Sequence, residues 1–178
     1  FRTVSKIFRF KNNKIDVFNT QLTWAYLGKA NNEILAQEIN IGLKVFKDGK
    51  WTIKCADKKI INSTIISCLP YNKDTLLVTT PKDGLFLLAG DKLIAFKTNQ
   101  DNIFFNDRIG VAIKLNNNLY AIGTTSSALL IIDKKGVLQR KFSYVEGLLN
   151  NNIRSILLDQ HQNLWLGLDD GIAFIAFN

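Results

Sequence analysis

The sequence is poor in the residues from which metal and catalytic centres are usually built. Its 178 residues include one histidine, His161, two cysteines, Cys55 and Cys68, and no methionine. One histidine and two cysteines outside a C-x-x-C motif cannot supply the four ligands of a structural zinc site. We therefore expect no metal and no cofactor. We also expect both cysteines to be buried free thiols, since each lies in an apolar strand-like run, with a disulfide as the alternative in an exported domain.

Long apolar segments are missing as well. No run of about 18 uncharged apolar residues occurs, which excludes a membrane-spanning helix within these residues. The chain begins at Phe1 without a methionine, and its first residues have neither the charged nor the apolar region of a signal peptide. We therefore expect this sequence to be a mature segment or a fragment of a longer protein.

Arginine is scarce, although the chain is basic. There are 5 arginines against 18 lysines, and the net charge is +8. Residues 1–60 hold 12 basic and 5 acidic residues, whereas residues 61–178 hold 11 and 10. A basic end attracts anionic partners such as acidic glycans, nucleic acid or anionic lipid. The alternative is the compositional bias of an AT-rich genome, which 19 asparagines and 21 isoleucines also indicate. We favour that bias, because arginine is the preferred residue for bidentate phosphate recognition, and we predict no direct binding of nucleic acid by this segment.

Catalytic signatures are lacking too. The sequence has no glycine-rich phosphate loop, no H-E-x-x-H pair, no calcium loop and no nucleophile elbow. His161 lies in the polar turn "DQHQN" without a serine or cysteine nucleophile at a recognisable spacing, so we expect a solvated side chain. The acidic pair Asp169–Asp170 fits either a metal or catalytic site or a simple turn, and we favour the turn because no such pair recurs along the chain. We expect no catalytic residue in this segment.

A repeat of about 42 residues runs through the chain. Each unit has an apolar run, a polar turn and a second apolar run, and the landmark before the second run falls at Gly42, Gly84, Ser127 and Gly171. The spacings between these landmarks are 42, 43 and 44 residues. A weaker copy at residues 6–18 resembles the back half of a unit.

Each unit is predicted to form four antiparallel strands. Its four apolar runs are about 5–7 residues long and are separated by turns rich in Asn, Asp and Gly. No window shows helical periodicity, so we predict no helix. The middle runs, such as "GLFLLA" from Gly84, barely alternate, which indicates strands covered on both faces. Outer runs such as "LQRKF" from Leu138 carry the charges that protect an exposed edge.

The predicted fold class is therefore all-β, a β-propeller with blades of four antiparallel strands. About four and a half blades lie in one domain, 1–178, and the last blade lacks its fourth strand. The approximate blade boundaries are 1–19 (a half blade), 20–60, 61–103, 104–146 and 147–178. We expect a partial propeller that belongs to a larger one of the seven-bladed type, with a five-bladed ring as the alternative.

The last unit resembles a known family. In residues 146–175, Gly147-Leu148, Asn151, Asp159, Asn163-Leu164-Trp165, Gly167 and Gly171-Ile172 match the pattern of the two-component regulator propeller repeat. His161-Gln162 and Leu168 depart from it. We expect Trp165 to pack between blades, because its counterparts are taken to be Tyr120 and Leu77.

This resemblance implies a periplasmic or extracytoplasmic sensor module of a membrane-anchored bacterial regulator of transcription. Such propellers are often followed by a triple-tyrosine domain, a transmembrane helix and a histidine kinase or DNA-binding output. The implied partners are an oligosaccharide or other small extracellular ligand, the remaining blades and the downstream domain, with a homodimer as a further possibility. The implied module is non-catalytic, although the parent protein can carry a kinase.

Ligand-binding residues are expected in the loops that differ between blades. Amide, hydroxyl and charged side chains there suit a hydroxyl-rich ligand. Arg108 and Arg154 take near-equivalent blade positions, and we expect both to face one rim as an anion-binding element. The predicted ligand-binding set is Arg108, Arg154, Lys82, Asp83, Thr125 and Asp170.

Two alternatives remain open from the sequence. An incomplete propeller with open strand edges could serve as a protein-interaction or dimerisation scaffold. A propeller-fold lyase or glycosidase would need paired acids about 5–10 Å apart, and the acids available on the predicted face are Glu38, Asp83, Asp169 and Asp170.

Overall fold

Antiparallel strands make up nearly all of the regular structure. The computed structural model describes residues 1–176, so the last two residues of the predicted blade 147–178 lie outside the described residues. The strands, in chain order, are β1 (Lys6–Lys11), β2 (Lys14–Asn19), β3 (Trp24–Ala30), β4 (Glu33–Glu38), β5 (Gly42–Lys47), β6 (Lys50–Cys55), β7 (Ser67–Pro70), β8 (Thr75–Thr79), β9 (Leu85–Ala89), β10 (Lys92–Phe96), β11 (Ile109–Lys114), β12 (Leu119–Thr124), β13 (Leu129–Asp133), β14 (Leu138–Phe142), β15 (Ile153–Leu158), β16 (Leu164–Leu168) and β17 (Gly171–Ile175).

In the described part of the chain, these strands form five separate sheets in sequence order. They are the hairpin sheet (β1–β2), the four-stranded sheets I (β3–β6), II (β7–β10) and III (β11–β14), and the three-stranded sheet IV (β15–β17). The first strands of sheets I to IV contact one another in succession, β3 to β7, β7 to β11 and β11 to β15. Four-stranded meanders whose first strands meet at the inside are the blades of a β-propeller, and the predicted fold class is confirmed.

The tight turns follow from asparagine and glycine. Asn12-Asn13 and Asn31-Asn32 have positive φ at both positions, with φ values of 50°, 58°, 45° and 64°. Two consecutive residues with positive φ form the turn type whose twist matches a β-hairpin, and asparagine tolerates this conformation better than most residues.

A threonine closes the turn between the second and third strands in sheets II and III. The Thr80 amide and hydroxyl both donate to the Gly84 carbonyl, at 3.1 and 2.9 Å, and Thr124 does the same to the Ala128 carbonyl, at 3.0 and 3.1 Å. Thr3 repeats the pattern on Lys6, at 2.8 and 3.2 Å. We refer to this arrangement as the threonine turn.

The hairpin sheet therefore has the local structure of the outer half of a blade. The Phe8 amide donates to the Phe1 carbonyl at 2.8 Å, and Arg2 forms an isolated antiparallel bridge with Ile7. Phe1 and Arg2 thus lie beside β1 in the position that a second strand takes in the other sheets, and the threonine turn at Thr3 links them to β1.

The apolar core lies between sheets rather than inside any one of them. Four apolar clusters lie between neighbouring sheets. In order, they join the hairpin sheet to sheet I, sheet I to sheet II, sheet II to sheet III, and sheet III to sheet IV. Each fully buried aliphatic side chain contributes about 1.5–3 kcal/mol relative to an exposed one. The largest fully buried side chains include Trp24, Phe86, Phe104 and Tyr120.

Within residues 1–176, two short helices lie in the connections between sheets, so the prediction of no helix is wrong for these segments. Helix α1 (Lys58–Ile61) begins after Asp57, whose carboxylate accepts the Lys59 amide at 2.9 Å, and α2 (Asp101–Asp107) precedes sheet III. Helices of four and seven residues are too short to display a helical period. Burial of Ile60 and Phe104, each 0% exposed, fixes them instead.

Trp165 is not buried between blades, contrary to its predicted role. The face of sheet IV that packs on sheet III carries Leu164, Leu166 and Leu168, and Trp165 points the other way with 42% of its surface exposed. In register and face, its counterpart in sheet III is Ala121 and not Tyr120, which packs toward sheet II. The predicted equivalence with Tyr120 was one residue out, and a shift of one residue reverses the face of a strand. Ala121 is buried because sheet IV covers it, whereas among residues 1–176 no sheet packs on the face that carries Trp165.

Cys55 and Cys68 are buried free thiols, as predicted. Both belong to the cluster between sheets I and II. Burial raises the pKa of the Cys68 thiol to about 12 and also raises that of Cys55. Neither thiol is therefore ionised near neutral pH, and both act as small apolar side chains.

Candidate functional site

One face of the propeller collects the chain segments that differ most between blades. In an antiparallel sheet of four strands, the start of the first and third strands and the end of the second and fourth lie at the same edge. The turns 39–41, 80–84, 125–128 and 169–170 therefore share this edge with the connections between sheets. We refer to it as the loop face.

The connection from sheet I to sheet II is fixed by one buried amide. Gln37, which is 0% exposed, donates from Nε2 to the carbonyls of Ile60 and Ser63 at 2.7 and 2.6 Å. Its Oε1 accepts the Ile65 amide at 2.7 Å. These three hydrogen bonds satisfy backbone groups that burial would otherwise leave unpaired, and they hold α1 against sheet I.

Lys82 and Asp83 lie in the threonine turn of sheet II and border a small cavity, which we call the sheet II pocket. Its volume is about 170 Å³. Besides Lys82 and Asp83, its polar lining consists of Lys59 from α1, Lys97 from the end of β10 and Asp101 from α2. The exposed ring of Phe105 on α2 completes its rim.

Sequence reasoning missed four members of this pocket, Lys59, Lys97, Asp101 and Phe105. Lys59 and Phe105 are on helices that were not predicted, and their sequence neighbourhoods carry no repeat signal. The length of the connections gave no signal either, because the connection into sheet IV, residues 143–152, is nearly as long and forms no helix.

Thr125 has a structural role at the loop face of sheet III. Its hydroxyl donates to the Asp107 carbonyl at 2.7 Å, and its amide is 3.1 Å from the carbonyls of both Asp107 and Arg108. The Asp107 carboxylate accepts hydrogen bonds from the hydroxyls of Ser126 and Ser127. These hydrogen bonds hold the end of α2 against the turn between β12 and β13.

Arg108 and Arg154 differ in their surroundings. Arg108 is exposed and has a φ of 53°, a left-handed conformation that is uncommon for a residue with a side chain. Arg154 is paired with Asp169, with 2.5 Å between Nε and Oδ1. Within residues 1–176 the two guanidinium groups share no hydrogen-bond partner.

Asp169 and Asp170 form the two-residue turn of sheet IV. The Asp169 carboxylate accepts hydrogen bonds from Arg154 Nε and, at 2.6 Å, from Asn152 Nδ2, while Asp170 has a long contact of 3.5 Å with Asn150 Nδ2. The hydrogen bond from Arg154 lowers the pKa of Asp169. Both carboxylates thus face local donors, and an anion at Arg154 would have to compete with Asp169.

Glu38, the fourth acid considered for catalysis, is also held in place. It is buried, and its carboxylate accepts a hydrogen bond from Thr20 and forms an ion pair with Lys44. Across residues 1–176, no group of three or more His, Cys, Asp or Glu side chains is arranged to hold a metal ion. In the same residues, no helix has the length and apolar character needed to cross a membrane.

An apolar cleft lies away from the loop turns, between the hairpin sheet and sheet I. It has a volume of about 390 Å³ and is lined by aromatic and aliphatic residues including Phe18, Phe46 and Trp51. It is open where the hairpin sheet has only two full strands to place over β3 and β4.

Comparison with known proteins identifies the fold. No protein-family model matches the sequence, and no curated protein matches it. Among solved structures, the extracellular domain of the putative one component system BT4673 from B. thetaiotaomicron has a TM-score of 0.75 and 21% identity, over 98% of this chain and 25% of that chain. The extracellular domain of the putative hybrid two component system BT3049 from the same organism has a TM-score of 0.67 and 18% identity, over 94% and 24%.

A propeller of unrelated description is similar at a lower level. The WD40 beta propeller domain of Doa1 has a TM-score of 0.58 and 13% identity, over 92% of this chain and 67% of that chain. At these identities the likeness shows the β-propeller fold. The chain spans about a quarter of the length of the two bacterial extracellular domains.

Proposed function

We propose that this chain is part of the extracytoplasmic sensor propeller of a membrane-anchored bacterial regulator and binds a small hydroxyl-rich ligand, such as an oligosaccharide, at its loop face. The observation that carries the proposal is the fold likeness over 98% of the chain to the extracellular domain of a bacterial signalling system. The repeat motif around Asn163-Leu164-Trp165 supports the same assignment. A fold alone does not determine function, so the chemistry of the loop face carries the rest.

The loop face favours binding over catalysis. Two of its four acids are engaged by neighbouring cations, Asp169 by Arg154 and Glu38 by Lys44. Acids that serve as structural acceptors are poor candidates for the matched acid and base of a lyase or glycosidase. The side chains around the turns supply both cations and hydrogen-bonding groups, which suits recognition of a polar ligand.

We also propose that sheets I to IV belong to a larger propeller. Sheet IV exposes Leu157, Trp165, Ile172 and Phe174 on the face away from sheet III, with 42–70% of each surface accessible. The counterparts of these residues in sheet III, including Ala121 and Leu129, are buried by sheet IV. Continuity of the packing from sheet to sheet indicates that a further sheet of the same kind covers this face.

Calorimetry on the complete extracytoplasmic part of the parent protein tests the sensor proposal. A panel of neutral and acidic oligosaccharides should include at least one that binds and that changes transcription of a reporter under the regulator. Silence of the whole panel in both measurements would contradict the proposed function. Lys135→Gln is the control. Lys135 lies between β13 and β14, at the edge of the sheets opposite the loop face, so this substitution should leave ligand binding unchanged.

Fluorescence quenching tests the larger propeller. Iodide should quench Trp165 in the 178-residue chain, because 42% of its surface is accessible, and should not reach Trp24, which is 2% exposed. In a longer protein that supplies the covering sheet, Trp165 should become protected. Unchanged quenching of Trp165 there would show that this face stays open.

A second candidate function, a self-association scaffold, is favoured by the same apolar face of sheet IV. Light scattering separates the two candidates. A mass that stays at 20.1 kDa as the concentration rises would exclude self-association, whereas stable multiples of that mass would support it.

A further inference from the structure

We propose that the sheet II pocket binds a monocarboxylate that carries several hydroxyl groups on one ring, such as an acidic sugar unit. This inference rests on the proposed function, because it takes ligand binding at the loop face as given and names the ligand class and the subsite. Its evidence is independent of the family resemblance and comes from the charges, the aromatic rim and the framework of the pocket.

Two ammonium groups at the pocket are free of carboxylate partners. Among residues 1–176, Lys59 and Lys82 form no ion pair, whereas Lys97 lies 3.5 Å from Asp101. Lys59 Nζ is 5.1 Å from the centre of the Phe86 ring, which keeps the lysine over the pocket. Two unpaired cations beside one small cavity favour an anionic group between them.

The acids of the pocket narrow the class of anion. Asp83 and Asp101 lie in the same lining as the three lysines, so the formal charge of the pocket is close to that of one cation. A multiply charged anion such as phosphate is repelled by these carboxylates. A ligand with one carboxylate and several hydroxyl groups satisfies both sets, because the hydroxyl groups donate to aspartate oxygens while the ligand carboxylate takes the lysines.

An exposed aromatic ring lies at the rim. Phe105 is 68% exposed, although Phe104 beside it is 0% exposed and anchors α2 in the core. A large apolar side chain held open next to charged groups offers a flat surface for the C–H face of a ring. The cavity volume of about 170 Å³ is below the usual range for drug-sized ligands, and it fits a single ring unit.

Hydrogen bonds hold each part of the pocket in position. Gln37 fixes the connection that contains Lys59, the threonine turn at Thr80 fixes Lys82, and the contacts of Asp107 with the turn after β12 fix the end of α2 beyond Phe105. A site supported in this way loses little conformational freedom when it binds a ligand.

Titration with sodium glucuronate, glucose and inorganic phosphate at constant ionic strength tests the proposal. Chemical-shift mapping should show that glucuronate perturbs the amides of residues 82–84 and 105, with at least tenfold weaker effects from glucose and from phosphate. The double variant Lys59→Gln/Lys82→Gln should weaken glucuronate binding at least tenfold, and Phe105→Ala should weaken both sugars. Lys135→Gln, in the turn before β14 at the opposite edge, should match the unmodified chain.

Three outcomes overturn the inference. They are equal affinity for glucose and glucuronate, unchanged glucuronate binding in the double variant, and shifts that map outside the pocket. If a neutral oligosaccharide binds elsewhere on the loop face while glucuronate is silent, the inference fails and the proposed function stands. If glucuronate binds the pocket but no sugar changes the output of the complete regulator, the sensor proposal fails and the site stands.

Discussion

Replacement of Gln37 by leucine tests how the loop face is held together. Leucine has a similar volume, so Gln37→Leu removes the amide without opening a large cavity. The substitution breaks three hydrogen bonds of 2.6–2.7 Å and leaves the Ile60 carbonyl and the Ile65 amide unpaired in buried surroundings. An unsatisfied buried backbone group costs about 1–3 kcal/mol.

The expected loss in the free energy of unfolding is therefore about 3 kcal/mol, allowing for the extra apolar surface that leucine buries. For a domain of this size, 1 kcal/mol corresponds to about 2–4 °C in Tm. Gln37→Leu should thus lower Tm by about 6–12 °C in a thermal melt followed by circular dichroism.

The control for this variant is Gln160→Leu in an exposed turn of sheet IV. It should change the free energy of unfolding by less than about 0.5 kcal/mol. Hydrogen exchange gives a local measurement, because the Ile65 amide should lose its protection in Gln37→Leu. A loss below about 1 kcal/mol together with a protected Ile65 amide would refute the assignment of these hydrogen bonds.

Three further predictions follow from the packing and the charges. Gly123→Ala should lower the free energy of unfolding by about 1–3 kcal/mol in urea melts, because the new Cβ would lie 2.7 Å from the side chain of Ile153; a neutral effect would mean that sheets III and IV are less closely packed. The Cys68 thiol, with its pKa raised to about 12 by burial, should react with a thiol reagent at pH 8 only after denaturant is added, and rapid reaction of the folded chain would contradict its burial. Asp169→Asn should flatten the dependence of Tm on pH in the acid range: the Arg154 hydrogen bond lowers the pKa of Asp169, so the stabilisation is present above the unfolded pKa of about 3.9 and is lost as the pH falls through the lower folded value. If Tm falls equally steeply with decreasing pH in the variant, other groups are responsible for that fall.

The repeat made the architecture predictable, because a sheet that buries both faces imposes the same pattern on every unit. The landmarks Gly42, Gly84 and Gly171 all fall at or beside the start of a third strand, and Ser127 lies in the corresponding turn. What the repeat could not provide is anything that belongs to a single blade. The helices that carry Lys59 and Phe105 occur in individual connections, and tertiary burial of Ile60 and Phe104 determines them rather than a local period.

The sequence also did not reveal which face of sheet IV the side chains of β16 occupy. Tyr120 and Trp165 both follow an Asn-Leu pair, which suggests equivalence, but the strand pairings place Trp165 opposite Leu157 and Tyr120 opposite Lys114. The turns before these strands have the same span, closed by Leu115 on Leu119 and by Asp159 on Asn163. Asn118 lies inside its turn, whereas Asn163 closes the equivalent one, so the Asn-Leu pairs are offset by one residue. The candidate site was predicted only in part. Lys82 and Asp83 lie in a predicted turn, whereas the other charged residues of the sheet II pocket do not.

The location of the core between sheets has a consequence for how the chain opens. Since each of the four apolar clusters joins two neighbouring sheets, no sheet is stable by itself, and the stability of each depends on how many neighbours it has. Sheets I, II and III have a packed neighbour on both sides, whereas sheet IV and the hairpin sheet have one each. Amide protons should therefore exchange first in the hairpin sheet and sheet IV and last in the middle sheets. The molecule then unfolds inward from its termini, as a linear array does. Any further sheet that covers the two ends would also slow the opening of the middle sheets.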